Sequence, residues 1–194
     1  MSCIVLPSPY IKGQISIETA VAVRPFVGPY TEEQLTAEQL GQLLWAAHTA
    51  GDNIRRRKGP NGRTWLVLRA CCADGVWRYH PREHCLTRHL GRDVREDLAG
   101  AARNRWFIAQ SPCILVISAV PQNGLERCEK QSLRCLPMEV GRVVERVLIQ
   151  AAALGLVGVP VNEFDVAWVS YALIISRQEE PLCLLPVGRP AQED

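Results

Sequence analysis

The sequence predicts a single α+β domain in which a sheet is flanked by helices. Residues 36–47 and 139–154 carry apolar side chains at helical spacing. Residues 64–79 show the pattern of a β-hairpin, and residues 113–120 are a continuous apolar run of strand length. Because strands and helices are interspersed along the chain, neither an all-helical nor an all-β fold fits.

The length of the chain and the composition of its terminal segments predict one domain with a short arm and a short tail. A chain of 194 residues with 47% hydrophobic composition can bury one substantial core. Residues 1–13 hold two prolines and one glycine without any period, so we expect an extended arm that is ordered by docking. The domain then covers residues 14–190, and residues 191–194 form a tail.

The first two helices are predicted from their capping residues. Ser16 can cap a short helix that reaches about Val23 and ends before Pro25. Thr36 and Gln39 have the spacing of a capping box. The apolar positions that follow recur at helical spacing: Leu40, Leu43, Leu44 and Ala47.

A basic loop and a hairpin come next. Residues 52–62 contain four consecutive basic residues and a Pro-Asn-Gly turn, which indicate a loop. Residues 64–73 are apolar and rich in β-formers, and Asp74-Gly75 joins them to a second strand at residues 76–79.

The second half of the chain alternates helices and strands. Residues 93–103 are predicted as a helix and residues 113–120 as a buried strand. Residues 139–154 have one apolar and one polar face, as expected of a central helix. Short strands follow at residues 157–161 and 182–187.

The charge and hydropathy exclude several classes of protein. The 22 basic and 20 acidic residues leave a formal charge of +2, so no global field favours nucleic acid or an anionic membrane. The N-terminus lacks the pattern of a secretory signal, and no apolar run reaches membrane-spanning length. We therefore expect a cytoplasmic protein.

The cysteines and histidines do not form a recognisable metal motif. The eight cysteines include no CxxC pair, and we expect most of them to be small buried side chains. Cys71 and Cys72, adjacent in a strand, should point to opposite faces of the sheet. His80 and His84 could supply half of a zinc site on a helix, but Pro81 favours a turn there, so we assign no metal.

Five segments, in this order along the chain, resemble the nitroreductase family. The resemblance is greatest to the dehydrogenase branch associated with azole formation in ribosomal peptides. The segments are residues 16–22, 43–48, 79–84, 150–156 and 180–190. The resemblance implies a mixed or antiparallel sheet wrapped by helices in an intertwined homodimer. It also implies FMN in the dimer interface, carrying hydride between NAD(P)H and a substrate.

The resemblance also places candidate FMN-binding residues at the phosphate and beside the ring. Arg24 matches part of the family's arginine-rich run after the first helix, and Arg189 matches a phosphate-contacting position near the C-terminus. Pro60, Asn61 and Gly62 stand where the family has a loop beside the flavin ring, in a shortened form.

Two further family motifs are changed in this sequence. Arg142 and Arg146, with Glu145 between them, replace neutral polar side chains of the central helix. Asn162 and Glu163 stand in the segment that places a backbone donor near the flavin ring, where they add bulk. The FMN-binding motifs are therefore degenerate.

These observations lead to one main hypothesis and two alternatives. The main hypothesis is an FMN-dependent, NAD(P)H-using oxidoreductase that acts as a homodimer on a small molecule, such as a nitroaromatic, a quinone, an enone or a peptide-bound azoline. No residue is identified as a general acid or base. The first alternative is a flavin-free homodimer with a ligand-binding or regulatory role. The second, less favoured, is phosphate or nucleic-acid binding through residues 55–58.

Overall fold

The computed structural model describes residues 3–22, 29–52, 66–103, 105–120 and 132–191, with the side chains of 49–52 and 132–135 excepted. Within these residues there are seven strands: β1 Cys3–Val5, β2 Leu66–Cys72, β3 Gly75–His80, β4 Cys85–Leu90, β5 Cys113–Ala119, β6 Val157–Gly158 and β7 Glu180–Gly188. The same ranges contain six helices: α1 Ile17–Ala22, α2 Ala37–Asp52, α3 Arg95–Ala101, α4 Trp106–Gln110, α5 Ser132–Ala153 and α6 Val166–Ala172.

The strands form one sheet in the order β1-β4-β3-β2-β5-β7-β6. Every pairing between these described strands is antiparallel. All seven residues of β5 are buried, because helices cover both faces of the sheet at its centre. The α+β class and the sheet flanked by helices are thereby confirmed.

The two faces of the sheet carry two separate hydrophobic clusters. Leu115 and Ile117 of β5 pack with α2 and α5, whereas Ile114 and Val116 pack with α3, α4 and α6. The alternation of side chains along a strand explains this division. Cys71 and Cys72 also lie on opposite faces, as predicted.

Side-chain caps fix the starts of three helices. The Thr36 hydroxyl accepts from the backbone N–H of Gln39 at 3.2 Å, and the Gln39 side chain accepts from that of Thr36 at 2.9 Å, which confirms the capping box. Ser16 Oγ accepts from the N–H of Thr19 at 3.1 Å, so the predicted cap of α1 is also confirmed. Asp165 caps α6 in the same way, through the N–H of Trp168.

Four elements were not predicted from the sequence, namely β1, β4, α4 and α6. They are short and lack a clear period of apolar side chains, so tertiary contacts determine their conformation.

Two predicted elements have different bounds in the structure. The central helix α5 begins seven residues before the predicted start at residue 139. It continues through Pro137, which has no backbone N–H to donate within the helix. The regular part of the predicted strand 157–161 is β6 alone, with Val161 adding a single bridge to Leu184.

The described cysteines are mostly thiols, as predicted, with one exception. Cys71, Cys113 and Cys183 are buried thiols and Cys72 is half-buried. Two others, Cys3 and Cys85, form a disulfide that the sequence analysis did not predict.

The two histidines of the predicted turn make hydrogen bonds within the chain. His80 Nε2 lies 2.8 Å from Thr87 Oγ1, and the two ring nitrogens of His84 lie 2.8 Å from the Tyr79 hydroxyl and 2.9 Å from the Pro7 carbonyl oxygen. The described residues contain no group of three His, Cys, Asp or Glu side chains that could share a metal ion. Nor is any described helix long and apolar enough to cross a membrane.

Candidate functional site

A cavity of about 240 Å³ lies where α1, the second half of α5 and β6 meet. Its wall consists mainly of apolar and small side chains, with Glu145 contributing a charged group. The residues that line it are Ala20, Val21, Ala22, Glu145, Leu148, Ile149, Ala152, Leu156, Val157 and Gly158.

The α1 wall of the cavity is formed by Ala20, Val21 and Ala22. Ala20 is buried, while Val21 is exposed and borders the cavity. Hydrogen bonding to the backbone and to Ser16 at the start of this helix lowers the pKa of Glu18. A carboxylate in the first turn also interacts favourably with the helix dipole. The helix therefore presents an apolar surface toward α5.

The α5 wall follows from the amphipathic pattern of this helix. Val143, Val147 and Ala151 are buried against the sheet, so the residues next to them point sideways. Ile149 and Ala152 are half-buried and line the cavity. The helix therefore uses one apolar stripe for the core and a second for the cavity.

The end of α5 brings the C-terminal strand to one end of this cavity. Gly155 follows the helix with φ +67°, a backbone conformation that favours glycine. A Cβ placed on Gly155 would lie 3.7 Å from Arg189 Nη1. Leu156 and Val157 line the cavity, and Val157 pairs with Gly188 of β7. Arg189 is thus a cation beside the turn at which the cavity ends.

The floor of the cavity is closely packed at Gly158. A Cβ on this residue would lie 3.2 Å from Leu148 Cδ2 and 3.2 Å from the Pro186 carbonyl oxygen. Both distances are shorter than most contacts of a real Cβ, so alanine here would require the Leu148 side chain or β6 to shift by a few tenths of an ångström. The close approach of β6, β7 and α5 therefore favours glycine at this position.

Three described arginines are predicted to bind the cofactor; Arg142 and Arg146 are exposed and Arg189 is half-buried. Arg189 Nε donates to Glu33 Oε2 at 2.8 Å. Arg142 pairs with Glu139 at 3.2 Å, one turn away on α5. Arg146 follows the cavity residue Glu145 and is also exposed. The structure thus brings the α5 cations and Arg189 to the same side of the fold as the cavity.

The other predicted site residues lie elsewhere or outside the described residues. Asn162 and Glu163 are exposed in the segment before α6 and do not line the cavity. Glu163 Oε2 accepts from Arg105 Nη2 at 2.8 Å. The remaining four predicted residues, Arg24, Pro60, Asn61 and Gly62, are outside the described ranges.

Neither the apolar lining of the cavity nor the partner of Arg189 was predicted from the sequence. Ile149 lies off the main apolar face of α5, and an apolar side chain at such a position indicates a second contact surface. Glu33 and Arg189 are 156 positions apart, so no local pattern could connect them.

Comparisons with known proteins give a consistent result. The model of the Nitroreductase family matches residues 27–189. A candidate nitroreductase of Methanocaldococcus jannaschii is 31% identical over 184 residues, which cover 91% of this chain and 92% of the relative.

Solved structures show the same fold at lower sequence identity. The crystal structure of a candidate nitroreductase of Ralstonia eutropha JMP134 has a TM-score of 0.82 and 22% identity, and the match covers 98% of this chain and 90% of that one. The NADPH:FMN oxidoreductase of Vibrio harveyi, solved with NAD⁺, has a TM-score of 0.65 and 18% identity, with coverage of 91% and 69%.

Proposed function

Since this chain belongs to the nitroreductase family, we propose that it is an FMN-dependent oxidoreductase moving hydride between NAD(P)H and a small-molecule substrate. The observation that carries the proposal is the cavity between α1, α5 and β6, with the Arg189 guanidinium beside its end. A cofactor with a flat apolar ring and a phosphate requires both features.

The residues present fit such a cofactor in kind. Leu148, Ile149 and Val157 supply an apolar wall against which a ring system can pack. Arg189 carries a planar guanidinium that can bind a phosphate through two parallel hydrogen bonds. Because the Arg189 side chain is 43% exposed and pairs with an exposed carboxylate, a phosphate can replace Glu33 at low energetic cost.

Several residues would hold the cofactor, and none is assigned to catalysis. We place Arg189 and Arg24 at the phosphate, and Arg142 and Arg146 at the rim. The loop of Pro60, Asn61 and Gly62 would border the ring, and the resemblance assigns Asn162 and Glu163, which lie outside the cavity lining, to a backbone donor near it. When bound, FMN supplies the chemistry by accepting hydride from the nicotinamide and passing it to the substrate. The protein then acts by placing the two reactants and excluding water.

The size of the cavity supports a homodimer. Ligand pockets usually measure roughly 300–1,000 Å³, whereas one chain offers about 240 Å³ between its own helices. We propose that a second copy of the chain closes the open side of the site. The relation to the azole-forming branch of the family stays a prediction from the sequence segments, and the nitroaromatic, quinone, enone and peptide-bound azoline named above stay the candidate substrates.

Replacing Arg189 by alanine tests the proposed phosphate site. Purified wild-type protein should absorb between about 300 and 550 nm as bound flavin does, or should do so after titration with FMN. In Arg189→Ala, loss of a charge-assisted contact of about 1.5–3 kcal/mol should weaken FMN binding by roughly 10- to 150-fold. Fluorescence titration measures the dissociation constant.

Arg177→Ala is the matched control. Arg177 is exposed and lies in the loop before β7, away from the cavity lining, so its removal should leave the FMN affinity unchanged. Both variants should keep the wild-type stability within about 1 kcal/mol, since exposed pairs contribute little. A colourless wild-type protein that ignores added FMN would overturn the proposal.

The ion pairs of the site favour one second candidate, a flavin-free family member with a ligand-binding or regulatory role. Arg189, Arg142 and Glu163 each pair with an oppositely charged side chain of the same chain. Such pairs could replace the contacts of a cofactor. A wild-type protein that forms a dimer and leaves the FMN spectrum unchanged would support this candidate.

A further inference from the structure

The N-terminal strand β1 is held to the sheet by few noncovalent contacts. Its three residues pair with the outer edge of β4, with Cys3 opposite Thr87 and Val5 opposite Cys85. Ile4 is 50% exposed and Val5 is 75% exposed. Apolar burial therefore contributes little to the attachment of this strand.

A disulfide supplies the remaining attachment, and the two residues that form it differ in exposure. Cys3 and Cys85 are separated by 82 positions in sequence, and their Cα atoms lie 6.0 Å apart. Cys3 is exposed at the sheet edge, whereas Cys85 is only 3% exposed. Thiol–disulfide exchange begins when a thiolate reaches one sulfur of the bond. The exposed residue, Cys3, is thus the one that a dissolved thiol can attack.

The three described thiols that are fully buried are poor competitors for this chemistry. Burial raises the pKa of Cys183 to about 11 and also raises the pKa of Cys71. A hydrogen bond with Cys72, together with burial, raises the pKa of Cys113. Buried thiols with raised pKa values form little thiolate and react slowly.

The chain just beyond β1 has anchors that do not depend on the disulfide. Leu6 is buried, and its N–H donates to the His84 carbonyl oxygen at 3.0 Å. The Gln42 side chain donates to the Tyr10 carbonyl oxygen at 2.8 Å and accepts from the Tyr10 N–H at 3.2 Å. Breaking the disulfide would consequently free residues 3–5 while residues 6–10 stay docked.

We propose that the Cys3–Cys85 disulfide is a site of reversible thiol–disulfide exchange with small thiols of the glutathione class, and that its reduction releases β1 from β4. A thiolate attacks Sγ of Cys3, the bond between the cysteines breaks, and Cys85 leaves as a thiolate that takes up a proton. A second thiolate attacks the small molecule's sulfur in this mixed disulfide, which releases the small-molecule disulfide, and Cys3 leaves as a thiolate that takes up the second proton. The protein gains two electrons and two protons in all, and β4 then presents an unpaired strand edge.

Peptide mapping of the full chain tests the chemical part of this proposal. Protein prepared without reductant is blocked with a thiol reagent and digested with trypsin, which should yield peptides 1–12 and 83–88 joined by a disulfide. Incubation with reduced glutathione at millimolar concentration should separate the two peptides and produce a glutathione adduct on peptide 1–12. An adduct on Cys85 alone, unlinked peptides at the start, or a bond that resists glutathione would each overturn the proposal.

Hydrogen exchange tests the release of the strand. In wild-type protein, reduction should accelerate amide exchange in residues 3–5 and 85–87 by about tenfold or more, with no change in α2. Cys3→Ser should show the fast exchange with or without glutathione. Cys72→Ser, which removes a thiol outside the pair, should behave like the wild-type protein. Equal exchange in oxidised and reduced wild-type protein would show that β1 stays in place and would contradict the proposed release. None of these readouts depends on FMN.

Discussion

Replacing Glu179 by glutamine is expected to lower the free energy of unfolding by about 3–5 kcal/mol, the range found when one partner of a buried ion pair is removed. The side chain of Arg69 in β2 is 2% exposed and the side chain of Glu179 is 8% exposed. The guanidinium forms two contacts with the carboxylate, one of them from Nη2 to Oε2 at 3.0 Å. Glutamine is neutral and would leave the arginine charge buried without compensation.

Urea denaturation measures this effect, and Glu180→Gln is the matched control. Glu180 is the neighbouring residue, is exposed, and should change the stability by less than about 0.5 kcal/mol. The double variant Arg69→Met, Glu179→Met should recover most of the loss, because two apolar side chains need no charge compensation. If the Glu179→Gln and Glu180→Gln proteins are equally stable, Glu179 does not compensate the buried charge of Arg69 and our description of the pair is wrong.

This ion pair illustrates what the sequence could not predict. Arg69 stands in a segment that was predicted as a strand from its apolar neighbours, and the strand is confirmed. Its partner lies 110 positions away in a loop, and nothing local to either residue connects them. Long-range pairs depend on the register of β2, β5 and β7, which the sequence pattern does not specify.

The elements that were predicted correctly are those whose signal is local. The capping box of α2 and the turn between β2 and β3 are set by neighbouring residues. The buried strand β5 and the amphipathic helix α5 are long enough for a clear pattern. In contrast, β4 holds Thr87, Arg88 and His89 in succession, and its strand conformation comes from pairing on both sides with β1 and β3.

The candidate site was predicted less completely, for a related reason. Arg189 and the α5 arginines were chosen from their resemblance to family positions; none of them lines the cavity, and their role in binding a cofactor stays a prediction. The lining of that cavity comes from three elements that meet only in the folded chain. Its key packing positions, Gly155 and Gly158, are recognisable only once their neighbours are known.

Replacing Gly188 by alanine is expected to lower the free energy of unfolding by about 3 kcal/mol, at the upper end of the usual effect of overpacking. A Cβ on Gly188 would lie 2.5 Å from Pro112 Cδ and 2.8 Å from Tyr30 Cδ1. The proline ring is rigid, and the Tyr30 ring is buried with its hydroxyl donating to the Pro186 carbonyl oxygen at 3.3 Å. Neither neighbour can move without disturbing β7.

Gly141→Ala makes the same chemical change where space is open, and it should have the opposite sign. A Cβ on Gly141, on the exposed side of α5, would meet no atom within 4 Å, so alanine should stabilise the helix by about 0.5–1 kcal/mol.

The Gly188→Ala variant should also bind FMN more weakly under conditions where it remains folded, because Gly188 directly precedes Arg189. Gly188→Ala with wild-type stability would mean that Tyr30 and Pro112 do not fix the end of β7, and the position of Arg189 beside the cavity would then lose its structural basis.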